Sequence, residues 1–61
     1  MHSILDDIPG IGPSRRKALM RHYQSLDEVK NASEEELSQI PSMNARAARQ
    51  VYEFFHSSPD A

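Results

Sequence analysis

A turn that contains two glycines stands directly before a run of cations in the first third of the chain. Gly10 and Gly12 flank Ile11, and Pro13 suits the first position of a helix because its missing N–H would be unpaired there. Glycine lets the backbone adopt positive φ and lets an anion approach closely, and a helix start presents unpaired N–H groups and the positive end of the helix dipole. This combination predicts a phosphate site.

Backbone amides are the expected donors of this site. Pro13 has no amide hydrogen and drops out of the set. The expected donors are the amides of Gly10, Gly12, Ser14 and Arg15. Ile11 is expected to pack inward as the apolar plug of the turn, and the Ser14 hydroxyl adds a donor. The cations of the site are Arg15, Arg16 and Lys17. A tight turn without a ligand explains an isolated Gly-x-Gly equally well, but the adjacent cations favour phosphate.

The turn recurs later in the chain. Residues 8–12, Ile-Pro-Gly-Ile-Gly, align with residues 40–44, Ile-Pro-Ser-Met-Asn, at an offset of 32 residues. Core positions follow the same offset, since Leu5 aligns with Leu37 and Leu19 with Val51. Repetition at this period predicts two supersecondary units that bury their apolar faces against each other.

The second turn departs from the first at both glycine positions. Ser42 and Asn44 replace the glycines, and Met43 replaces the central isoleucine. A serine held in the left-handed region costs roughly 1–2 kcal/mol, so we expect this turn to open into another shape, whereas asparagine tolerates that geometry and caps a helix well. Arg46 and Arg49 remain as cations, but Glu53 is placed to pair with Arg49. Whether this turn binds phosphate stays open.

Helix signals are dense, and strand signals are almost absent. Ser25 with Glu28 and Ser33 with Glu36 fit the capping box that starts a helix. We predict an all-α fold of five short helices with a pseudo-two-fold repeat. One domain is expected over residues 3–56, with repeats at about 3–23 and 33–56 and a linking helix at about 26–31. Residues 57–61 are expected to form a flexible tail, and residues 1–2 are either a flexible native start or a remnant of expression.

Charge is segregated along the chain. The 61 residues carry a net charge of −2 and contain no cysteine. Residues 13–22 contain four basic and no acidic side chains, whereas residues 26–36 contain five acidic side chains and one lysine. This suits a protein that presents one face to a polyanion, although solvated helix surfaces give the same pattern. No apolar run is long enough for a membrane span or fits a secretory signal, so the sequence predicts a cytoplasmic domain with no membrane partner.

The residue types that usually carry catalysis are not grouped. His2, His22 and His56 are scattered, without cysteine or carboxylates at metal-ligand spacing. Glu34, Glu35 and Glu36 are adjacent because they begin a helix. The sequence therefore predicts a domain with no catalytic residues, no metal site and no cofactor.

The first turn and its flank carry a specific resemblance. Residues 8–16, Ile-Pro-Gly-Ile-Gly-Pro-Ser-Arg-Arg, resemble the hairpin of helix-hairpin-helix proteins, and the repeat resembles their tandem form. Over residues 3–55 the chain is similar to the C-terminal domain of the UvrC family of bacterial excinucleases. The resemblance implies a DNA-binding piece of a larger nuclease that acts in nucleotide excision repair and the SOS response. Lysine is frequent in that family where Ser14 stands, which implies somewhat weaker binding here.

What the resemblance implies about partners is DNA and other excision-repair subunits. The DNA partner is the phosphate backbone of duplex, junction or bubble DNA, contacted without sequence readout, because no helix presents polar residues suited to a groove. The isolated domain is expected to be monomeric. The alternative is a protein-interaction or dimerisation module, for which Phe54 is the best evidence because it cannot share the inward direction of Phe55.

Overall fold

A computed structural model describes residues 4–57 of the chain. A single 3-10 turn at Ile4–Asp7 is followed by α1 (Pro13–His22), α2 (Leu26–Asn31), α3 (Glu34–Ser38) and α4 (Ala45–His56). The described residues contain no strand, and no helix among them is long and apolar enough to cross a membrane. The predicted all-α class is confirmed. The predictions of a flexible start at Met1 and His2 and of a flexible tail over 58–61 lie outside the described residues.

The prediction of five helices is wrong by one element. The segment before the first turn forms only a 3-10 turn of four residues. The Ile8 amide donates to the Leu5 carbonyl at 3.2 Å, which is the three-residue spacing of that tighter helix. Pro9 follows directly and disfavours a helical conformation at Ile8, so there is no room for a second turn that would establish α-helical bonding.

Each of the five elements contributes one large, fully buried side chain to a shared core. These side chains are Leu5, Leu19, Val29, Leu37 and Val51. Complete burial of a side chain of this kind contributes about 1.5–3 kcal/mol. Leu5 with Leu37 and Leu19 with Val51 occupy equivalent positions of the repeat, so the two halves meet in one core. Neither half has enough apolar surface to form such a core alone.

Three large apolar residues among residues 4–57 face solvent. Ile4, Met20 and Leu26 are 43%, 40% and 38% exposed. Ile4 and Met20 are adjacent in the chain to the fully buried Leu5 and Leu19, so their side chains point away from the core. Leu26 is the first residue of α2, in which only Val29 is buried. Phe54, which cannot share the inward direction of Phe55, is not fully exposed: it is half-buried against the core, and its ring meets the ring of Phe55 edge-on at 5.3 Å.

Side-chain caps fix the helix starts in the second half of the chain. The hydroxyl oxygens of Ser25 and Ser33 accept from the amides of Glu28 and Glu36 at 3.4 and 3.1 Å. The Glu28 carboxylate accepts from the Gln24 amide at 2.9 Å, one residue before the position that an ideal capping box uses. These caps confirm the predicted starts of α2 and α3.

Helix α4 ends at His56, and its C-cap is Ser57, the first residue of the predicted tail. The Ser57 amide donates to the Glu53 carbonyl at 2.7 Å, so Ser57 caps the helix. His56 lies against α2, with its Nε2 atom 3.0 Å from the Lys30 carbonyl oxygen, and its ring stacks on Tyr52. The last turn of α4 is thereby attached to the linking helix.

Tyr23 closes the C-terminal end of α1 with its ring inside the core. It is 7% exposed, and its hydroxyl has no hydrogen-bond partner among residues 4–57. Burial raises the pKa of the Tyr23 phenol above its ordinary value, and the Glu36 and Glu28 carboxylates raise the pKa further. A buried hydroxyl without a partner costs stability that a phenylalanine would not.

We predict that Tyr23→Phe raises the free energy of unfolding by about 1 kcal/mol at neutral pH. Because the folded-state pKa of Tyr23 is raised, the folded protein binds the phenolic proton more tightly, and the wild type loses stability as pH rises through that folded pKa. The gain of Tyr23→Phe should therefore grow above about pH 10, where the unfolded phenol ionises. Urea unfolding at pH 7 and pH 10.5 measures both effects. Tyr52→Phe is the matched control, and a Tyr23→Phe protein less stable than wild type would show that the hydroxyl is bonded.

Candidate nucleic-acid interface

Two turns of the same construction precede the two longest helices. We call residues 8–12 the first hairpin turn and residues 40–44 the second hairpin turn. In the first, Ile11 N donates to Ile8 O at 3.1 Å and Arg16 N to Gly12 O at 2.9 Å. In the second, Met43 N donates to Ile40 O at 3.0 Å and Ala48 N to Asn44 O at 2.9 Å. Every one of these bonds is repeated at the offset of 32 residues, so the repeat extends to the backbone.

The left-handed residue of each turn occupies the same position. Gly10 has φ +84°, and Ser42, its equivalent, has φ +77°. The expectation that serine would open the second turn into another shape is therefore wrong. The strain of a left-handed serine, roughly 1–2 kcal/mol, is smaller than the cost of unfolding the turn, because the flanking Ile40 and Met43 pack in or against the core.

The second glycine of the first turn does not adopt positive φ, contrary to the expectation. Gly12 is the N-cap of α1 with φ −92° and ψ −172°, which is extended backbone. Asn44 is the N-cap of α4 with φ −141° and ψ 178°. A Cβ added at Gly12 would meet nothing within 4 Å, so the fold does not require glycine there. Glycine instead leaves the backbone at the N-terminus of α1 unobstructed by a side chain.

The amides at the start of α1 have no partner inside the protein. Among residues 4–57, no hydrogen bond engages the N–H groups of Gly12, Ser14 or Arg15, whereas the Arg16 amide already bonds to Gly12 O. All three residues lie in an exposed or half-buried part of the surface. Of the donors predicted from the sequence, these three converge on one helix start, where the positive end of the α1 dipole adds to them.

The start of α4 offers a similar set with one difference. Asn44 Oδ1 accepts from the Ala47 amide at 2.7 Å, so that amide is occupied, unlike the Arg15 amide at the equivalent place in α1. Within the described part of the chain the amides of Asn44, Ala45 and Arg46 have no partner. The start of α4 thus also has three unpaired amides: Ala45 has the N–H that Pro13 lacks, whereas the Ala47 amide is occupied and the equivalent Arg15 amide is not.

The central apolar residue of each turn belongs to the scaffold. Ile11 is 5% exposed and Met43 is half-buried against the core, and both amides are bonded within their own turns. Ile11 is therefore the predicted apolar plug. Neither Ile11 nor Met43 can offer its amide to a ligand without breaking the turn.

The Arg15 side chain has a role that its position in the sequence does not reveal. Its Nε donates to the Ser42 carbonyl at 2.9 Å, and its Nη1 donates to the Gly10 carbonyl at 2.9 Å. The guanidinium therefore connects the left-handed residues of the two hairpin turns. Nothing in the spacing could have identified this contact, because it joins residues 27 apart across the repeat.

The Arg16 side chain is engaged by an acid. Its Nε lies 3.2 Å from Oδ1 of Asp6, and both side chains are about one-third exposed. This pair ties α1 to the 3-10 turn, so Arg16 offers a ligand less charge than the sequence suggests. Lys17, one residue on, is exposed and makes no ion pair or hydrogen bond with residues 4–57. It is the cation of the first predicted set that is freely available.

Two concavities meet at Arg15. One, of about 440 Å³, is lined by Gly12, Ser14, Arg15 and Ser42. The other, of about 330 Å³, also includes Arg15 in its wall, together with Gly10, Asn44 and Arg46. These seven predicted site residues, from both turns and the helix starts that follow them, therefore line two concavities that share Arg15, and we call this surface the hairpin face.

Acidic side chains lie near the start of α4 and beside Arg49. Glu34 and Glu35 line a groove together with Ala45, the first residue of α4. Arg49 donates from Nε to Glu53 at 3.1 Å, as predicted, and this contact raises the pKa of the guanidinium. Arg49 is thus held by an acid on its own helix. The acidic run does not lie wholly opposite the hairpin face, as the charge pattern suggested, but reaches the edge of the second turn.

No grouping of side chains on this face suits catalysis or metal binding. Within residues 4–57 no cluster of three or more histidine or acidic side chains could hold a metal ion. His22 lies in the last turn of α1 with Arg21, where both complement the helix dipole, and the His22 ring meets that of Tyr23 edge-on. The chemistry that this surface can perform is the binding of anions.

Comparison with known proteins identifies the family to which this fold belongs. The family model described as "SAM-like Helix-hairpin-helix tandem" matches residues 3–57. The UvrABC system protein C of Zymomonas mobilis is 53% identical over 57 residues, which are 93% of this chain and 9% of that protein. The proteins of the same name from Alkaliphilus metalliredigens and Desulforudis audaxviator are 49% and 48% identical over 90% and 97% of this chain, and 9% and 10% of their own length.

These matches bear on three predictions. They confirm the tandem fold and the resemblance to the UvrC family. The chain spans about a tenth of the length of the curated relatives it matches. They also confirm the prediction of a binding module rather than an enzyme, because the match is to the helix-hairpin-helix tandem itself.

We predict opposite effects of two substitutions at the left-handed positions of the turns. Ser42→Gly should raise the free energy of unfolding by roughly 1 kcal/mol because it removes a left-handed serine while keeping the carbonyl that Arg15 binds. Gly10→Ala should lower it by roughly 1–2 kcal/mol, although a Cβ there meets nothing within 4 Å, because the cost is conformational. Thermal and urea unfolding measure both, with Gly12→Ala as the control at a negative φ, which should lose only the difference between glycine and alanine as an N-cap. A stabilising Gly10→Ala would contradict the left-handed geometry.

Proposed function

Because this chain belongs to the SAM-like helix-hairpin-helix tandem family, we propose that it is a DNA-binding domain that contacts the phosphate backbone without reading sequence. The observation that carries this proposal is the pair of equivalent helix starts with unpaired amides on one face. Amide N–H groups and helix dipoles bind phosphate oxygens whatever the base sequence.

The first hairpin turn is the main contact in this proposal. The unpaired amides at the end of this turn and the start of α1 lie near the Ser14 hydroxyl and the exposed ammonium of Lys17. No acidic residue lines the adjoining concavity. The second turn presents as many amides and Arg46, but Glu34 and Glu35 stand beside the start of α4. We therefore expect the second turn to contribute a weaker contact, and Arg49, held by Glu53, to contribute least.

The relatives suggest the setting of this activity. Proteins named UvrABC system protein C match over almost the whole chain, so we propose that the chain is part of a nucleotide excision repair nuclease subunit. Catalytic domains would then lie elsewhere in the parent protein, and this domain would position them for incision. Preference for junction, bubble or partly unpaired DNA, contact with other repair subunits and a cytoplasmic location all belong to the same proposal.

The structure gives less support to the alternative of a protein-interaction module. Phe54 motivated that alternative as an exposed aromatic residue, but it packs half-buried against the core. A monomeric isolated domain therefore remains the prediction. Gel filtration tests it, with Phe54→Ser as the variant that would dissociate a dimer held through this residue.

We predict that Lys17→Gln weakens binding to every DNA roughly threefold to tenfold and lowers the salt slope by about one unit, because it removes one phosphate contact. Gly12→Ala should weaken binding similarly while the protein stays folded, since its Cβ obstructs the approach of phosphate but touches nothing in the protein. Fluorescence anisotropy with duplex, bubble and junction DNA at several salt concentrations measures these effects. Wild-type affinity should be micromolar or weaker at physiological salt.

Lys30→Gln is the matched control for charge. Lys30 is an exposed lysine in α2, among the acidic residues and away from the hairpin turns. It should leave both affinity and salt slope close to wild type. Equal effects of Lys17→Gln and Lys30→Gln would mean that binding follows net charge alone, and the proposed site on the first hairpin turn would be wrong.

A further inference from the structure

Among residues 4–57, the one side chain that bonds to both hairpin turns is Arg15. Its two directional hydrogen bonds end on Gly10 O and Ser42 O, the carbonyls of the two left-handed residues. Beneath this contact, the turns are joined through the core. A guanidinium suits the task because it is rigid and planar and keeps its charge at any relevant pH.

Arg15 also lines both concavities of the hairpin face, the one at the start of α1 and the one that includes Asn44 and Arg46 at the start of α4. A guanidinium has five N–H donors, of which the turns use two, so three are not used by the turns. The side chain is therefore placed where it can set the separation of the two helix starts.

We propose that Arg15 is a positioning residue of the DNA site, which fixes the separation of the two hairpin turns so that one DNA molecule engages both together. This inference rests on the proposed function and adds to it a coupling between the turns. Two weak sites held at a fixed separation bind as a unit, because the second contact is made at a high effective concentration. Flexibility between the turns would reduce that gain.

The coupling distinguishes this role from a simple contribution of charge. Lysine at position 15 keeps the positive charge but cannot reproduce two bonds from a rigid fork. If Arg15 supplies charge alone, Arg15→Lys binds DNA like wild type. If Arg15 positions the turns, Arg15→Lys weakens binding while the salt slope stays near its wild-type value.

The decisive experiment is a double-mutant cycle between Arg15→Lys and Arg46→Glu, which impairs the second turn by placing an acid at the start of α4. Binding of a fluorescent duplex of about 20 base pairs is measured by anisotropy, well below the melting temperature of each variant. We expect Arg15→Lys to weaken binding roughly tenfold alone but less than about twofold in the Arg46→Glu protein, where no second contact remains to be coordinated. Arg21→Lys, the same exchange on the same helix outside the hairpin turns, should bind like wild type.

A second measurement reports on the turns without DNA. In ¹H–¹⁵N spectra, Arg15→Lys should move or broaden the amide signals of both turns, residues 10–12 and 42–44. Arg21→Lys, at a residue that shares a concavity with Ser42 but bonds to neither turn, should leave residues 10–12 unchanged. Spectral changes confined to the first turn would overturn the proposal, as would wild-type affinity of Arg15→Lys or a full tenfold loss in the Arg46→Glu background. If wild type itself does not bind DNA, the proposed function fails; if wild type binds and Arg15→Lys binds equally, only the coupling fails.

Discussion

The constraint on which this molecule depends is that a helix start leaves amide groups without partners. Three of the four α-helices within residues 4–57 meet this constraint with a side-chain cap, from Ser25, Ser33 and Asn44. The start of α1 has no such cap, because Gly12 has no side chain to provide one. In a chain that caps its other helices, this uncapped start is the place where an external anion best satisfies the backbone. The cap at Asn44 serves Ala47 and still leaves three amides unpaired at α4.

The small size of the chain explains why the N-termini of α1 and α4 lie on one face. A chain of 61 residues has little apolar surface, and here five side chains, one from each element, form the fully buried centre. The pairing of equivalent residues such as Leu5 with Leu37 brings the two halves into the same core, so both hairpin turns are held on one scaffold. With no cysteine in the chain, the direct connection between the turns is made by hydrogen bonds from Arg15.

Local chemistry in the sequence predicted much of this structure. Pro13 and the serine and asparagine caps indicated the helix starts, and the offset of 32 residues indicated the equivalence of the turns. Tertiary effects could not be predicted in the same way. Core packing holds Ser42 in the left-handed region against its intrinsic preference. Packing also buries Leu5, Leu19 and Val29 and leaves Ile4, Met20 and Leu26 exposed in the same three elements.

The three adjacent cations of α1 show the same limit of local reasoning. The run from Arg15 to Lys17 looks uniform in the sequence, but Arg15 bonds to carbonyls and Arg16 pairs with Asp6. Of the three, Lys17 alone has no partner among residues 4–57 and stays available to a ligand. These differences depend on which groups the fold brings beside each side chain, and a linear pattern of charge does not contain that information.

In the proposed complex, unpaired amides at the helix starts receive the phosphate. Titration of ¹⁵N-labelled domain with a short duplex, followed in ¹H–¹⁵N spectra, observes these amides themselves. We expect the largest shifts at the amides of Gly12, Ser14 and Arg15, smaller shifts at residues 44–46, and little change in α2. Shifts centred on α2 and α3, or unchanged amides at Gly12 and Ser14 under saturating DNA, would show that phosphate binds elsewhere.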